Sequence, residues 1–378
     1  MLINLIKKHY KLFITYLIFT ISIVLLAVIK VDYDVIVPAG TESVGNAIVI
    51  NGKSDKGINI NTVSVYSYSK ISVLDYLCAK FNKNDTLDKT YEYSVIDLNL
   101  VHSSGNIQKR VSLYNSLIAG YKAAGCEIEY SDVNTNGYII HTLTTYAPKE
   151  LKIGDQILAI NGEKVTDKVG LSSLIRKMVN LKYTKVDEEI YTIEEGLKEY
   201  PTVFTILRSG SRKEITVYPL AYSNVYDDEN NVCKYPLFGI STYEYNIVKS
   251  TTPEYKILPV SSIGPSGGLM QSFYVYEVLT GGLLSKGLKI VGTGTVDKDG
   301  NAGAIGGIYQ KVIAANLNKA DIFFVPVSSM DYEIYSKESN YLEALESYQK
   351  LGKTKMKFVP VASLNDIIEY LKGVQNEN

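Results

Sequence analysis

A serine and a lysine, each preceded by glycines, are the residues best suited to chemistry. Ser266 stands within GPSGG at 264–268, and Lys311 follows GG at 306–307. We expect Ser266 to begin a helix, where free N–H groups favour developing negative charge. Serine is a weak nucleophile until a base takes its proton. Lysine can be that base when burial lowers its pKa, although taken alone Ser266 is equally an ordinary helix cap and Lys311 a solvated lysine.

Other catalytic chemistries lack the residues they need. The chain has three cysteines and three histidines, with neither HExxH nor paired-cysteine spacing, so no metal or other cofactor is expected. No G-x-x-x-x-G-K-[ST] sequence occurs, so no nucleotide is expected. The 39 Lys+Arg nearly balance the 40 Asp+Glu, which gives no sign of a nucleic-acid partner. The shortage of histidine favours a lysine base for Ser266.

Alternating strands and helices must position the two residues. We predict a helix from 264 to about 279, a strand at 290–296, a helix with Lys311 on its first turns and a buried strand at 322–327. Earlier, strands at 46–50 and 58–68 precede a helix at 71–81. The apolar residues of this helix, Val73, Leu74, Leu77 and Cys78, recur every three or four positions, which is typical of a helix with one apolar face. A polar stretch at 82–110 shows few packing signals.

Residues 125–220 resemble a PDZ domain. The resemblance is carried by LKIGDQILAING at 151–162 and by the helix predicted at 171–178. It implies that an extended peptide binds by adding a strand. The residues that match the groove are Gly137, Tyr138, Ile139 and Ile140. The alternative for Ile139 and Ile140 is that both are simply core residues.

Residues 250–372 resemble the proteolytic domain of Lon-type proteases. GPSGG matches the nucleophile motif of that family, GGIYQK at 306–311 matches its lysine motif, and TGTV at 293–296 resembles its Thr-Gly strand. The resemblance implies that Ser266 is the nucleophile, Lys311 the general base, and Thr293 the residue that orients the lysine. Amides near Ser266 and Gly267 would form the oxyanion site. Two positions depart from the family pattern: Gly267 replaces an alanine, and Ser262 stands near a common acidic position.

Residues 12–29 form an uncharged apolar run, just long enough for a helix to cross about 30 Å of hydrocarbon. Lys7, Lys8 and Lys11 precede the run, which predicts a cytoplasmic N-terminus and a single-pass anchor in the cell membrane. A cleaved signal peptide is the alternative. The run is longer than the usual apolar region of a signal peptide and lacks a small-x-small site at its end.

The order of these segments resembles the membrane-anchored PDZ-containing Lon-type proteases of Gram-positive bacteria, in which the PDZ domain interrupts the proteolytic domain. The expected fold is α+β. It comprises a cytoplasmic tail (1–11), a transmembrane anchor (12–29), the N-terminal part of the protease domain (36–124), a PDZ domain (125–220) and a Lon-type proteolytic domain (221–378). Residues 46–124 would then pack with 221–378.

The resulting expectation is an ATP-independent, membrane-anchored serine endopeptidase that acts outside the cytoplasm. Its substrates would be exported peptides or membrane and secreted proteins, bound through a C-terminus in the PDZ groove. The pattern is compatible with a homo-oligomer. One alternative is a catalytically inactive membrane adaptor, which the departures at Ser262 and Gly267 favour. Another is a Ser/Lys amidase or lipid hydrolase.

Overall fold

The computed structural model describes residues 9–90, 98–178, 185–192, 200–226, 232–260, 262 and 264–376. The helices are α1 (Tyr10–Val28), α2 (Val73–Phe81), α3 (Leu98–Ala123), α4 (Val133–Asn136), α5 (Leu171–Met178), α6 (Gly268–Thr280), α7 (Ile308–Leu317), α8 (Tyr332–Tyr335), α9 (Ser339–Lys350) and α10 (Leu364–Asn376), with a 3-10 turn at Val44–Asn46.

The strands are β1 (Tyr33–Ser43), β2 (Ile48–Ile50), β3 (Ile60–Tyr68), β4 (Thr86–Lys89), β5 (Glu127–Ser131), β6 (Tyr138–Leu143), β7 (Gln156–Ile160), β8 (Glu163–Lys164), β9 (Lys185–Thr192), β10 (Thr202–Arg208), β11 (Ser211–Val217), β12 (Ala221–Tyr226), β13 (Val232–Leu237), β14 (Ile240–Glu244), β15 (Ile247–Thr252), β16 (Tyr255–Ile257), β17 (Ile290–Gly292), β18 (Thr295–Val296), β19 (Ala302–Gly303), β20 (Ile322–Pro326) and β21 (Lys357–Val361).

The first sheet brings the early and late parts of the chain together. Its order is β21-β20-β17-β3-β1-β4. The strands from β21 to β3 are parallel, and β1 is antiparallel to both of its neighbours. Ile60 on β3 pairs with Ile290 on β17. The prediction that residues 46–124 pack with 221–378 is therefore confirmed.

The core lies on both faces of this sheet. Every residue of β20 is buried, as expected for a parallel strand covered on both sides, so the buried strand predicted at 322–327 is confirmed. Because successive side chains point to opposite faces, Phe324 joins the cluster formed by α3 and α6, whereas Phe323 joins the cluster formed by α7 and α9. The two helices that carry the candidate residues thus lie on opposite faces.

The second sheet has the order β11-β10-β7-β6-β14, with β8 paired to β7. The predicted Asn161-Gly162 hairpin turn is confirmed, because both residues have positive φ between β7 and β8. The sheet takes in β14, beyond residue 220 where the PDZ domain was expected to end. β5, which was expected within that domain, pairs instead with β15.

The helix predicted at 71–81 is confirmed as α2, and two features of the N-terminal part depend on packing that the sequence did not show. The polar stretch at 82–110 includes the first half of α3, which begins at Leu98. The apolar stripe on α2 does not face the core, since Ala79 is the buried residue of that helix and Leu77 and Cys78 are exposed. Sequence periodicity identified the face correctly, but packing placed it towards solvent.

α1 corresponds to the predicted anchor. Its 19 residues have a mean hydropathy of 2.3, and none of that span is buried. Among the described residues it is the one helix long and apolar enough to cross a membrane, and a signal sequence would satisfy the same test. Residues 1–8 of the predicted cytoplasmic tail lie outside the described residues.

Candidate active site

Ser266 lies in the turn that leads into α6, one residue before the N-cap Gly267. The turn is partly exposed. Among the described residues, no group accepts a hydrogen bond from the backbone N–H of Ser266 or of Gly267. These two amides lie at the positive end of α6, so they can bind a developing oxyanion.

Lys311 lies on the second turn of α7. Gly307, the N-cap of this helix, has a φ of 65°, and a Cβ there would lie 3.2 Å from Val65 Cγ2. Glycine is therefore required where α7 begins against β3. The Lys311 side chain is only 3% exposed. Burial lowers the pKa of its ammonium group to about 8, because desolvation disfavours the charged form.

Thr293 links the two residues. Lys311 Nζ donates to Thr293 Oγ1 at 3.4 Å, and Thr293 Oγ1 donates to the Ser266 carbonyl oxygen at 3.0 Å. The Gly294 N–H donates to the same carbonyl at 2.8 Å. Within the described residues Ser266 Oγ makes no hydrogen bond of its own. The structure therefore brings Ser266, Thr293 and Lys311 to one place, with the lysine joined to the backbone of the serine through the threonine.

One face of α3 holds the Ser266 turn, and sequence reasoning missed it. The Gly264 N–H donates to Gly105 O at 3.2 Å, and Ser112 Oγ donates to Pro265 O at 2.9 Å. Ser116 Oγ lies 3.0 Å from Gly268 O. These α3 residues share a helical face, which a search for apolar periodicity overlooks. The signal that was available is the spacing of small polar residues at 105, 112 and 116.

Lys109 lies on the same face of α3. Its Nζ donates to the carbonyl oxygens of Val260 and Ser262 at 2.8 Å and 2.6 Å. Ser262 stands near the position at which Lon-type proteases commonly have an acid. Its backbone carbonyl here accepts a hydrogen bond from Lys109.

Gly267 approaches β3 closely. A Cβ at this position would lie 2.9 Å from Thr62 Cγ2, which is too close for an ordinary contact. The threonine methyl group occupies the space that an alanine side chain would need. Lon-type proteases usually have an alanine at this position. In this chain, glycine at 267 leaves room for the methyl group of Thr62.

A cavity of about 320 Å³ opens beside the Ser266 turn. Its walls come from α3, the end of β14 and the β18–β19 hairpin, and include Gln108, Ser112, Tyr243, Glu244, Pro265 and Thr295. The cavity joins the last residues of the second sheet to the residue immediately before Ser266. It is large enough for amino-acid side chains.

The groove expected at Gly137, Tyr138, Ile139 and Ile140 is not open. β6 pairs with β7 on one side and with β14 on the other, so neither edge is available for an added strand. Ile139 and Ile140 are fully buried, and Gly137 O accepts from Tyr245 N. The expectation that these residues bind peptide is therefore wrong, because residues 240–244 of this same chain occupy the edge.

A metal centre requires several ligating side chains close together. Among the described residues, no group of three or more His, Cys, Asp or Glu side chains could hold a metal ion. The polar groups at the Ser266 turn are hydroxyls, amides and one buried amine. They suit proton transfer and the binding of a carbonyl oxygen.

Comparison with known proteins relates the chain to a peptidase. A segment of 113 residues is 29% identical to the Lon protease of Aster yellows witches'-broom phytoplasma (strain AYWB). The match covers 29% of this chain and 12% of the length of that protease. No protein-family model matches the chain. The similarity indicates a distant relationship between this segment and a Lon protease.

Proposed function

We propose that the chain is a serine endopeptidase that uses a Ser266–Lys311 dyad without a nucleotide. The observation that carries the proposal is the buried Lys311 amine, whose pKa of about 8 leaves part of it neutral near pH 7. This amine is joined through Thr293 to the backbone of a serine at a helix N-terminus. The distant similarity to a Lon protease supports a peptidase activity in general.

Each residue of the site has a separate role in the proposed reaction. Neutral Lys311 Nζ takes the proton from Ser266 Oγ, which first turns about its Cα–Cβ bond towards the amine. Oγ attacks the scissile carbonyl carbon, and the N–H groups of Ser266 and Gly267 bind the oxyanion. The Lys311 ammonium group returns the proton to the leaving amine. Lys311 then takes a proton from water, whose oxygen attacks the acyl carbon. The Lys311 ammonium group returns this proton to Ser266 Oγ as the acyl–oxygen bond breaks, which restores the serine and the neutral amine.

The second sheet offers an edge for a peptide at β14. Within the described residues β14 pairs only with β6, so its outer edge can accept an added strand. Tyr243 and Glu244 at the end of β14 line the cavity that reaches Pro265. A peptide bound along β14 is thereby directed towards Ser266. This site replaces the groove expected at β6.

α1 anchors the protein in the cell membrane in this proposal. The basic residues on its N-terminal side support a cytoplasmic N-terminus, with the two sheets on the outer side. Substrates would then be exported peptides or proteins that reach the outer face of the membrane.

Labelling with a fluorophosphonate probe tests the dyad. The full-length protein in detergent micelles should label at Ser266, and Ser266→Ala and Lys311→Met should each abolish both labelling and peptide cleavage. Ser211→Ala and Lys337→Met are matched controls at exposed positions and should behave as wild type. Cleavage retained by Ser266→Ala would refute the mechanism.

The same variants separate the enzyme from the adaptor. An adaptor would bind peptide at β14 with no probe labelling in the wild type. Cleavage of esters but not of peptides would instead identify a lipid hydrolase. Peptide cleavage that is lost in both dyad variants would exclude each of these alternatives.

A further inference from the structure

One face of α2 is apolar, and the second half of this face is exposed. Leu74, Leu77, Cys78 and Phe81 follow the i, i+3, i+4, i+7 spacing of a single helical face. Phe81 is 84% exposed and Leu77 is 39% exposed. A phenylalanine exposed to that degree at the end of an apolar stripe favours burial against another surface.

The position of α2 identifies that surface. Val73 N, at the first residue of α2, donates to Ile29 O directly after α1 at 2.9 Å. Val31 N donates to Ile71 O at 2.9 Å, and Lys30 forms a β-bridge with Ser72. These contacts attach the start of α2 to the end of α1. Where α1 crosses a bilayer, α2 therefore begins at the level at which α1 leaves it.

The residues around α2 suit a lipid surface. Tyr66 and Tyr68, near the end of β3, are 58% and 53% exposed, and tyrosine is enriched at membrane interfaces. Tyr68 pairs with Val35, which shares a small cluster with Ile71 and Ala79 at the base of α2. The exposed Lys80 and Lys83 can extend their ammonium groups to phosphate headgroups at the interface.

We propose that α2 lies in the outer interface of the bilayer that α1 spans, with Leu77 and Phe81 among the acyl chains. The proposal rests on the membrane span given under Proposed function. A second copy of this chain or a peptide would be equally apolar. Because α2 is attached to the end of α1, it lies at the level of the bilayer surface in every molecule. The bilayer is therefore the apolar partner that is always within reach of α2.

The proposal sets the height of the active site. Gly267 packs on Thr62, and β3 runs six residues further to Tyr68 at its membrane end. At about 3.3 Å for each residue, Ser266 would lie at most roughly 20 Å above the level of Tyr68. Segments close to the membrane are then the ones that reach the site.

The chain has no tryptophan, so a single introduced tryptophan reports its own depth. Phe81→Trp would be measured in the full-length protein in phosphatidylcholine vesicles with brominated acyl chains, which quench only nearby fluorescence. Tyr16→Trp, within α1, is the positive control. Leu283→Trp is the negative control. Leu283 is 66% exposed and adjoins Gly282, which contacts Ile58 at the opposite end of β3 from Tyr68.

We expect Phe81→Trp to be quenched several-fold more than Leu283→Trp and to emit at shorter wavelength. Equal quenching of these two, with strong quenching of Tyr16→Trp, would overturn the placement of α2 and leave the anchor intact. If Tyr16→Trp is not quenched, the membrane span fails and the placement of α2 fails with it. Peptide cleavage, measured separately on the same variants, reports on the dyad.

Discussion

Lys311 Nζ lies 3.4 Å from Thr293 Oγ1, and within the described residues no carboxylate pairs with this buried amine. Desolvation therefore acts on the lysine without compensation from an opposite charge, and its pKa falls to about 8. The hydroxyl of Thr293 also donates to Ser266 O. One threonine thus contacts both parts of the proposed dyad.

The rate of peptide cleavage should rise with pH. The neutral amine is the active form of Lys311, so kcat/KM should increase about tenfold per pH unit at low pH and level off above about pH 8. The measurement is hydrolysis of a fluorogenic peptide between about pH 6 and about pH 10. Lys337→Met, at an exposed position, should give the wild-type profile. A midpoint near the ordinary pKa of histidine would argue against a lysine base.

Lys311→Met should stabilise the fold while it abolishes activity. The difference between an ordinary lysine pKa of 10.5 and about 8 corresponds to a penalty of about 3 kcal/mol below pH 8. The unfolded chain binds more protons between these values, so the penalty shrinks as pH rises towards 10.5. The thermal midpoint of the variant should exceed that of wild type at pH 7, with a smaller gain at about pH 10. A variant less stable than wild type at pH 7 would contradict the proposed free-energy cost of burying the charged Lys311.

Thr293→Val should lower kcat with little effect on KM. It keeps the shape of the side chain but removes the group that contacts both Lys311 Nζ and Ser266 O, and we expect a loss of up to about 100-fold from misplacement of the reacting groups. The pH midpoint should also move lower, because the ammonium group loses an acceptor. Thr293→Ser should restore most of the rate. An unchanged pH midpoint in Thr293→Val would mean that the threonine is only structural.

Gly267→Ala should lose stability and activity, and Thr62→Ser should restore part of both. The new Cβ would meet Thr62 Cγ2 at 2.9 Å, and overpacking of this kind costs about 1–3 kcal/mol. Serine lacks the methyl group that causes the conflict. A double-mutant cycle on unfolding free energy and kcat measures the coupling. Additive effects would show that the two residues do not compete for space.

Arg208→Met should destabilise the second sheet. Arg208 Nε and Nη2 each donate to Asp155, whose carboxylate is 1% exposed, so the variant leaves a buried charge without its partner. We expect a loss of about 3–5 kcal/mol, measured by unfolding or by limited proteolysis. Lys177→Met removes the exposed pair with Glu163 and should cost less than about 1 kcal/mol. Similar losses of stability in both variants would contradict the expected difference between a buried and an exposed ion pair.

The sequence predicted the parts of the site that depend on local spacing. Glycines next to Ser266, and the Gly306-Gly307 pair four residues before Lys311, marked two helix starts, and β20 appeared as an unbroken apolar run. The sequence did not predict which face of α3 contacts the Ser266 turn. The residues of that face are polar and make their contacts with a segment about 150 residues later, which no short pattern records.

Local pattern was sufficient for the helices that begin near Ser266 and at Gly307, for the buried strand β20 and for the apolar N-terminal helix. Tertiary structure decided which surfaces remain open. β14 takes the edge of β6, because strand neighbours are chosen by the global chain path. α2 turns its apolar stripe outwards, because helical periodicity specifies which residues share a face, whereas packing against α1 and β1 specifies where that face points.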